Sequence, residues 1–373
     1  MPTPIAPRTT QELLQCVGRA IAANGPTCDL NHINVSGITD FSFVFQASPF
    51  RGDISGWDVS NAQLMARMFQ DSDFDGDISQ WSVANVTNAG AMFSGSKFNG
   101  DLSRWNTRSM THCTEMFDNS AFDGNISQWD VSNVHSMAAM FRGCAFNGDL
   151  SAWNVAKVYD MSSMFQRSPF NGDISKWNTA ALQTASRMFK KSAFDGDISQ
   201  WNVKGLKNAI EMFAQSRFNG DVSAWQVEAA LVQSMFAGSQ FSGDLSSWCL
   251  RKNANVNGMF TPDFAGVLPM QEEAGAAGYI AMLKGEENLM AYLDHQPFGT
   301  VHFYLLSEAI ERNKQPEWTT DHDMQWMREY LRVGTALGVT IEALAANAGA
   351  SYRPSNAVSF DNVPFEHHTG VPS

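Results

Sequence analysis

Between residues 50 and 260 the apolar positions repeat every 24 residues, a period that belongs to neither a strand nor a helix. Trp stands at 57, 81, 105, 129, 153, 177, 201 and 225, then at 248 after one deletion. The Phe seven residues earlier stands at 50, 74, 98, 122, 146, 170, 194, 218 and 241. A Met-Phe pair such as Met68-Phe69 or Met212-Phe213 closes each unit. Self-similarity at a fixed period of this size marks a stacked array in which each unit buries its core against its neighbours.

Within one unit Ile78, Trp81, Val83 and Val86 fall at positions 1, 4, 6 and 9, the spacing of a leucine-rich repeat. That spacing predicts a short strand with Trp81 and Val83 turned inward and Ser82 outward. Val86, Ala89, Met92 and Phe93 then share one face of a predicted short helix. The link Ser-x-Phe-x-Gly-Asp turns the chain back. Its Gly, as at 52, 76 and 100, is expected to supply a positive φ or a close backbone approach. The fold expected is therefore an α/β repeat solenoid, a right-handed leucine-rich-repeat-like array of about ten 24-residue units. Each unit is a short parallel strand plus a short helix or turn, and at ~4.8 Å per unit the array makes a rod of about 45–50 Å.

The flanks differ from the array. Residues 9–24 read as an amphipathic helix with Thr9 or Thr10 as N-cap, an apolar stripe of Leu13, Leu14, Val17 and Ile21, and a stop at Asn24-Gly25-Pro26. With residues 1–27 this helix forms an N-terminal cap, and residues 28–45 are a worn first unit of the array, which spans 28–260. Past Thr261-Pro262 the period disappears. Helices are predicted over about 270–294, 298–313, 321–337 and 340–347, followed by an extended tail, so 261–373 is a small, mainly α-helical region or cap.

Charge sharpens this division. Residues 262–373 carry 15 acidic and 6 basic side chains, −9 of the net −13. An acidic chain without a basic face argues against a nucleic-acid partner. The five cysteines, 16, 28, 113, 144 and 249, show no ligand spacing, and Cys113 and Cys144 occupy slots filled elsewhere by Met and Ser, as core fillers do. No stretch approaches the ~18 apolar residues needed to cross a bilayer, and the N-terminus shows no apolar run. The expectation is a chain without membrane insertion or ordinary signal peptide: cytoplasmic, incorporated in a virion, or delivered by a specialised route.

Two rows of side chains are candidates for function. The Asp of Gly-Asp recurs at 53, 77, 101, 149, 173, 197, 221 and 244, with Asn125 as the exception. Such a ladder could bind calcium, but the favoured reading is that each Asp accepts hydrogen bonds in its own turn, a role Asn125 keeps while weakening a metal site. The second row lies on the outward strand positions: Asp58, Asn106, Asp130, Asn154, Asn178 and Asn202, with Gln80, Arg104, Gln128, Lys176 and Gln200 beside them and Arg108 in the next outward column. These twelve are the expected ligand-binding residues; no catalytic residue, metal or cofactor is expected. The eight histidines are scattered, and no nucleophile elbow, zinc helix or phosphate loop is present.

The pattern F-x-G-D-[IL]-S-x-W-[DN]-V, closed by M-F, resembles the BspA-like, mycoplasma-type leucine-rich-repeat family of bacterial surface proteins and lipoproteins, over residues 28–260. The period is 24 where that family commonly has about 25, with a shorter link before the Phe. The resemblance implies a binding surface on the strand face. The expected function is a non-enzymatic interaction scaffold whose polar strand face binds a protein (host or assembly partner) or a glycan. The alternative is a structural component of a large assembly such as a phage or virus particle, docking through its terminal regions and possibly to copies of itself.

Overall fold

A computed structural model describes residues 5–227, 231–245, 247–250, 254–256, 258–260 and 270–271. The helices and tail predicted beyond residue 271 lie outside the described residues.

The chain opens on α1 (Thr10–Asn24). Thr9 caps it by accepting from the Glu12 N–H at 3.2 Å, and Glu12 reaches back to the Arg8 N–H at 2.7 Å, so two end donors are satisfied. Gly25, at φ 83°, ends the helix and donates to Ile21. Leu13 and Val17 are buried, whereas Leu14, expected in the same stripe, is exposed. Thr10 ties α1 to the first unit through a 2.7 Å bond to the Asp40 carbonyl.

From there successive units stack in parallel register through single bridges, Asp40↔Leu64↔Asn88↔His112↔Ser136↔Asp160↔Thr184↔Asn208↔Leu231↔Asn255. Near the end β1 (Cys249–Leu250) pairs in parallel with β2 (Met270–Gln271). The predicted strand at Trp81–Val83 and the predicted helix over Val86–Phe93 take another form. Trp81 and Val86 close turns by donating to Ile78 and Val83, and the bridge runs through Asn88. Beyond it the N–H groups of Ala89, Ala91, Phe93 and Gly95 donate to the carbonyls of His112, Thr114, Met116 and Asp118 in the next unit, at 2.7–2.9 Å. The intervening Met92, Ser94 and Ser96 donate three residues back.

A helix needs each N–H for the carbonyl four residues earlier, so the stack displaces it by claiming every second donor. The alternation also requires left-handed residues: Arg67, Ala91 and Glu115 have φ of 56°, 52° and 59°. Arg67 holds the third place of the turn closed by Met68 on Met65, where a type II turn demands positive φ. A side chain there costs about 1–3 kcal/mol, a strain the stacked neighbours must hold.

The core consists of side chains stacked on their own copies. Phe45, Phe69, Phe93, Phe117 and Phe141 follow one another with ring centroids 5.4–5.8 Å apart and nearly parallel planes. A second Phe column leans on the first, as in Phe69–Phe74 at 4.5 Å. Every indole of the described repeats is buried and also stitches two units together. Trp129 Nε1 donates to the Leu102 carbonyl at 3.0 Å, and Trp81, Trp105, Trp153, Trp177, Trp201 and Trp225 repeat the bond to the carbonyl 27 residues earlier. The unit's Gly has the close approach expected of it rather than the positive φ: a Cβ at Gly76 would stand 2.8 Å from Phe74 Cε2 and 3.3 Å from the Gly52 carbonyl.

Candidate functional site

The Gly-Asp edge is occupied by its own backbone. Asp53, Asp77, Asp101, Asp149, Asp173, Asp197 and Asp221 each accept the N–H of the Ser two residues on at 2.8–2.9 Å. Asn125 makes the same bond to Ser127 at 3.0 Å, so the slot needs an acceptor and not a charge. These contacts hold the carboxyls of Asp53, Asp149, Asp173 and Asp221 below their ordinary range, first through the Ser N–H and then through its hydroxyl. For Asp101 the Ser103 hydroxyl leads, and Arg104 adds a little. Among the described residues no group of three or more His, Cys, Asp or Glu side chains is arranged to hold a metal ion.

One position earlier runs a second ladder that the sequence reading passed over. Asn99 Oδ1 accepts the Asp123 N–H at 2.8 Å, and Asp123, Asn147, Asn171 and Asp195 accept from Asn147, Asn171, Asp195 and Asn219 in turn. The signal was the Asp or Asn that stands before the unit's Gly from Asp75 to Asn219.

The twelve predicted binding residues are exposed, but most of the row is similarly occupied. Asp58, Asn106, Asp130, Asn154, Asn178 and Asn202 each accept the N–H two residues on, at 3.0–3.3 Å. Asp58 and Asp130 are held low by the hydroxyls and then the N–H groups of Ser60 and Ser132. Gln80, Gln128 and Gln200 donate to the neighbouring Ser hydroxyls. Arg104 and Arg108 are exposed cations of one unit, and Lys176 is exposed three units further along.

A concave polar site lies further round each unit, where the sequence reading did not look. A groove of about 600 Å³ is lined by Ser36, Gly37, Thr39, Asn61, Gln63, Asn85, Thr87 and Ser109. It crosses four units, and its walls are the residues on either side of the buried Ile38, Ala62, Val86 and Met110. Asn61 Nδ2 donates to the Ser36 carbonyl at 2.9 Å and Asn85 Nδ2 to the Ser60 carbonyl at 2.8 Å. Thr87 Oγ1 donates to the Gln63 carbonyl at 3.2 Å. The legible signal was a pair of polar positions recurring 24 residues apart around an apolar one.

Other reactive groups are buried in the stack. Cys113 is pushed up to about 12 by burial. Cys144 rises for the same reason and donates to the Phe122 carbonyl at 3.1 Å. Cys16, Cys28, Cys113 and Cys144 are all free. No helix among the described residues is long and apolar enough to cross a membrane.

A family model described as Mycoplasma protein of unknown function, DUF285, matches residues 19–127, 113–225 and 187–265. No curated protein and no solved structure matches the chain.

Proposed function

We propose a function for a chain that belongs to the Mycoplasma protein family of unknown function, DUF285: it is a non-enzymatic interaction scaffold that binds a protein or glycan partner. Its repeat array is a right-handed solenoid of the BspA-like, leucine-rich-repeat kind, with turns where the sequence predicted helices. The observation that carries the reading is the contrast between a backbone repeated every 24 residues and a surface that changes residue by residue. One outward column reads Ser60, Ala84, Arg108, Ser132, Ala156, Ala180 and Lys204 on the same turn geometry. Solenoids bind through such extended surfaces. Acidic groups along the described surface are held ionised by local hydrogen bonds, which makes them fixed acceptors rather than proton shuttles.

A second reading, a building block of a larger assembly, has one observation in its favour. Of the six large apolar side chains exposed among the described residues, four, Ile5, Leu14, Phe43 and Leu64, lie at the N-terminal end, and Tyr159 and Leu231 lie further along the array. The native mass of untagged protein from its source tests both readings. A small stoichiometric complex broken by Arg104→Glu or Arg108→Glu supports the scaffold; a large particle broken by Leu14→Glu supports the assembly. A monomer in every extract overturns both.

A further inference from the structure

We propose that the face carrying Tyr159, bracketed by Lys157 and Lys207, is the docking surface for an acidic protein partner. The inference rests on the interaction-scaffold reading: it chooses a protein over a glycan and names the face and its anchor.

One column of buried residues runs from Ile38 through Val86 and Val158 to Leu206. The two residues before each of them and the one after include no Asp or Glu, in a chain with 38 of them. They do include Arg108, Lys157, Lys204 and Lys207, all exposed. None of these four forms an ion pair with a described residue, whereas Lys97, Arg142, Arg187 and Lys190 each find a carboxylate. Asp130 feels Lys157 but is bound to Ser132, and Asp160, beside Tyr159, is bound to Ser162.

The two lysines are held in place without being neutralised. Lys157 Nζ donates to Asn133 Oδ1 at 2.8 Å and Lys207 Nζ to Gln183 Oε1 at 3.1 Å, each a neutral amide one unit earlier. An ammonium ordered by an amide keeps its charge for a partner, and the partner is spared the cost of ordering it. Tyr159 stands between them on consecutive steps of the stack. Its N–H donates to the His135 carbonyl, that of Gln183 to the Tyr159 carbonyl and that of Lys207 to the Gln183 carbonyl, at 2.7–2.9 Å. The Tyr159 side chain is 46% exposed, in an array where every described Phe and Trp but Phe43 is buried.

These features select the partner. A large ring left in water gains from burial on association, and Tyr and Arg are the residues that dominate interface hot spots. A neutral glycan offers no charge to four unpaired cations. A nucleic acid offers too much: DNA carries one charge per ~1.7 Å, while these four cations are spread over the steps from Arg108 to Lys204, about 19 Å. A protein surface with a few carboxylates around an apolar hollow matches both the ring and the charges.

The test is binding of the full chain to an immobilised random copolymer of glutamate and tyrosine, with poly-glutamate, poly(U) RNA and alginate alongside. The copolymer should bind best, and more weakly as salt rises. Lys157→Glu with Lys207→Glu should weaken it by roughly tenfold or more with an unchanged melting curve. Lys157→Gln with Lys207→Gln, a milder pair, should show a smaller loss in the same direction. Tyr159→Ala should bring the copolymer down to the level of poly-glutamate. Arg167→Glu with Lys191→Glu, which reverses two exposed cations of a different column, should change little. The proposal is overturned by no binding at low salt, by equal losses from the two reversed pairs, or by poly(U) or alginate binding as tightly as the copolymer. A native complex that survives Tyr159→Ala and the lysine reversals would leave the scaffold reading standing and sink only this one.

Discussion

The Gly-Asp edge and the groove are built from the same short polar residues on the same period, yet they present different things to solvent. At the Gly-Asp edge each Oδ1 is bound to an N–H two residues on, and in the adjacent ladder to one 24 residues on. In the groove Asn61 and Asn85 are bound through Nδ2 only, and their Oδ1 atoms are left over. A repeated polar residue is thus no sign of a ligand site by itself. What decides is which of its atoms the backbone has already claimed.

The comparison can be broken most severely from inside. Trp129→Ala removes a buried ring from its column and the bond to Leu102, and should cost about 3–5 kcal/mol by urea denaturation. Trp129→Phe keeps most of the ring but removes one of the two donors to the Leu102 carbonyl, which keeps the Trp105 N–H, and should cost about 0.5–1.5 kcal/mol. A loss near zero in the Phe variant would mean that the indole bonds do not hold the units together. Gly76→Ala drives a Cβ against Phe74 and the Gly52 carbonyl, and should cost about 1–3 kcal/mol. Were it neutral, the close approach at that edge would not be the reason for its Gly.

Acid sharpens the comparison more gently. The carboxyls of Asp53, Asp101, Asp149, Asp173 and Asp221 are lower in the fold than in the free chain. The unfolded chain therefore binds more protons, so their stabilisation is present above about pH 4 and fades as pH falls through the folded values. Melting temperature against pH should drop on the acid side. Asp101→Asn with Asp149→Asn, copying Asn125, should flatten that drop and change little at pH 7. An unchanged acid limb would show that the Ser contacts do not stabilise the ionised form.

The smallest expected effect separates two serines of one column. Ser72 Oγ donates to the Phe69 carbonyl at 2.9 Å, while the buried Ser96 Oγ has no partner. Ser72→Ala should cost about 1 kcal/mol and Ser96→Ala close to nothing, read from paired unfolding curves. Equal losses would remove hydrogen bonding as the column's distinction.

Much of the interior was readable before any coordinates. The 24-residue spacing of Trp and Phe names the buried columns, because a side chain stacked on its own copy must recur at the period. Thr9, one of the two N-caps the sequence offered, and Gly25 mark the ends of α1, since capping needs only neighbours in the chain. The units' own conformation was not readable. Ala89, Met92 and Phe93 fall on a helical face, but their backbone donors serve the next unit or turns three residues back, and residues such as Arg67 and Glu115 are held at positive φ that their types do not favour.

The binding surface was legible only as a set of polar columns. Asp58 and Asn154 looked available because a side chain's local bond to its own backbone leaves no trace in the period. Asn85 and Asn133 are the same residue in the same slot, and only the fold reveals that Lys157 donates to the Oδ1 of Asn133 while no described residue donates to that of Asn85. The sequence by itself determined which residues lie inside, since burial follows a pattern set along the chain. Tertiary structure alone decided which outward atoms remain unpaired, since that depends on what the neighbouring unit, 24 residues away, brings against them.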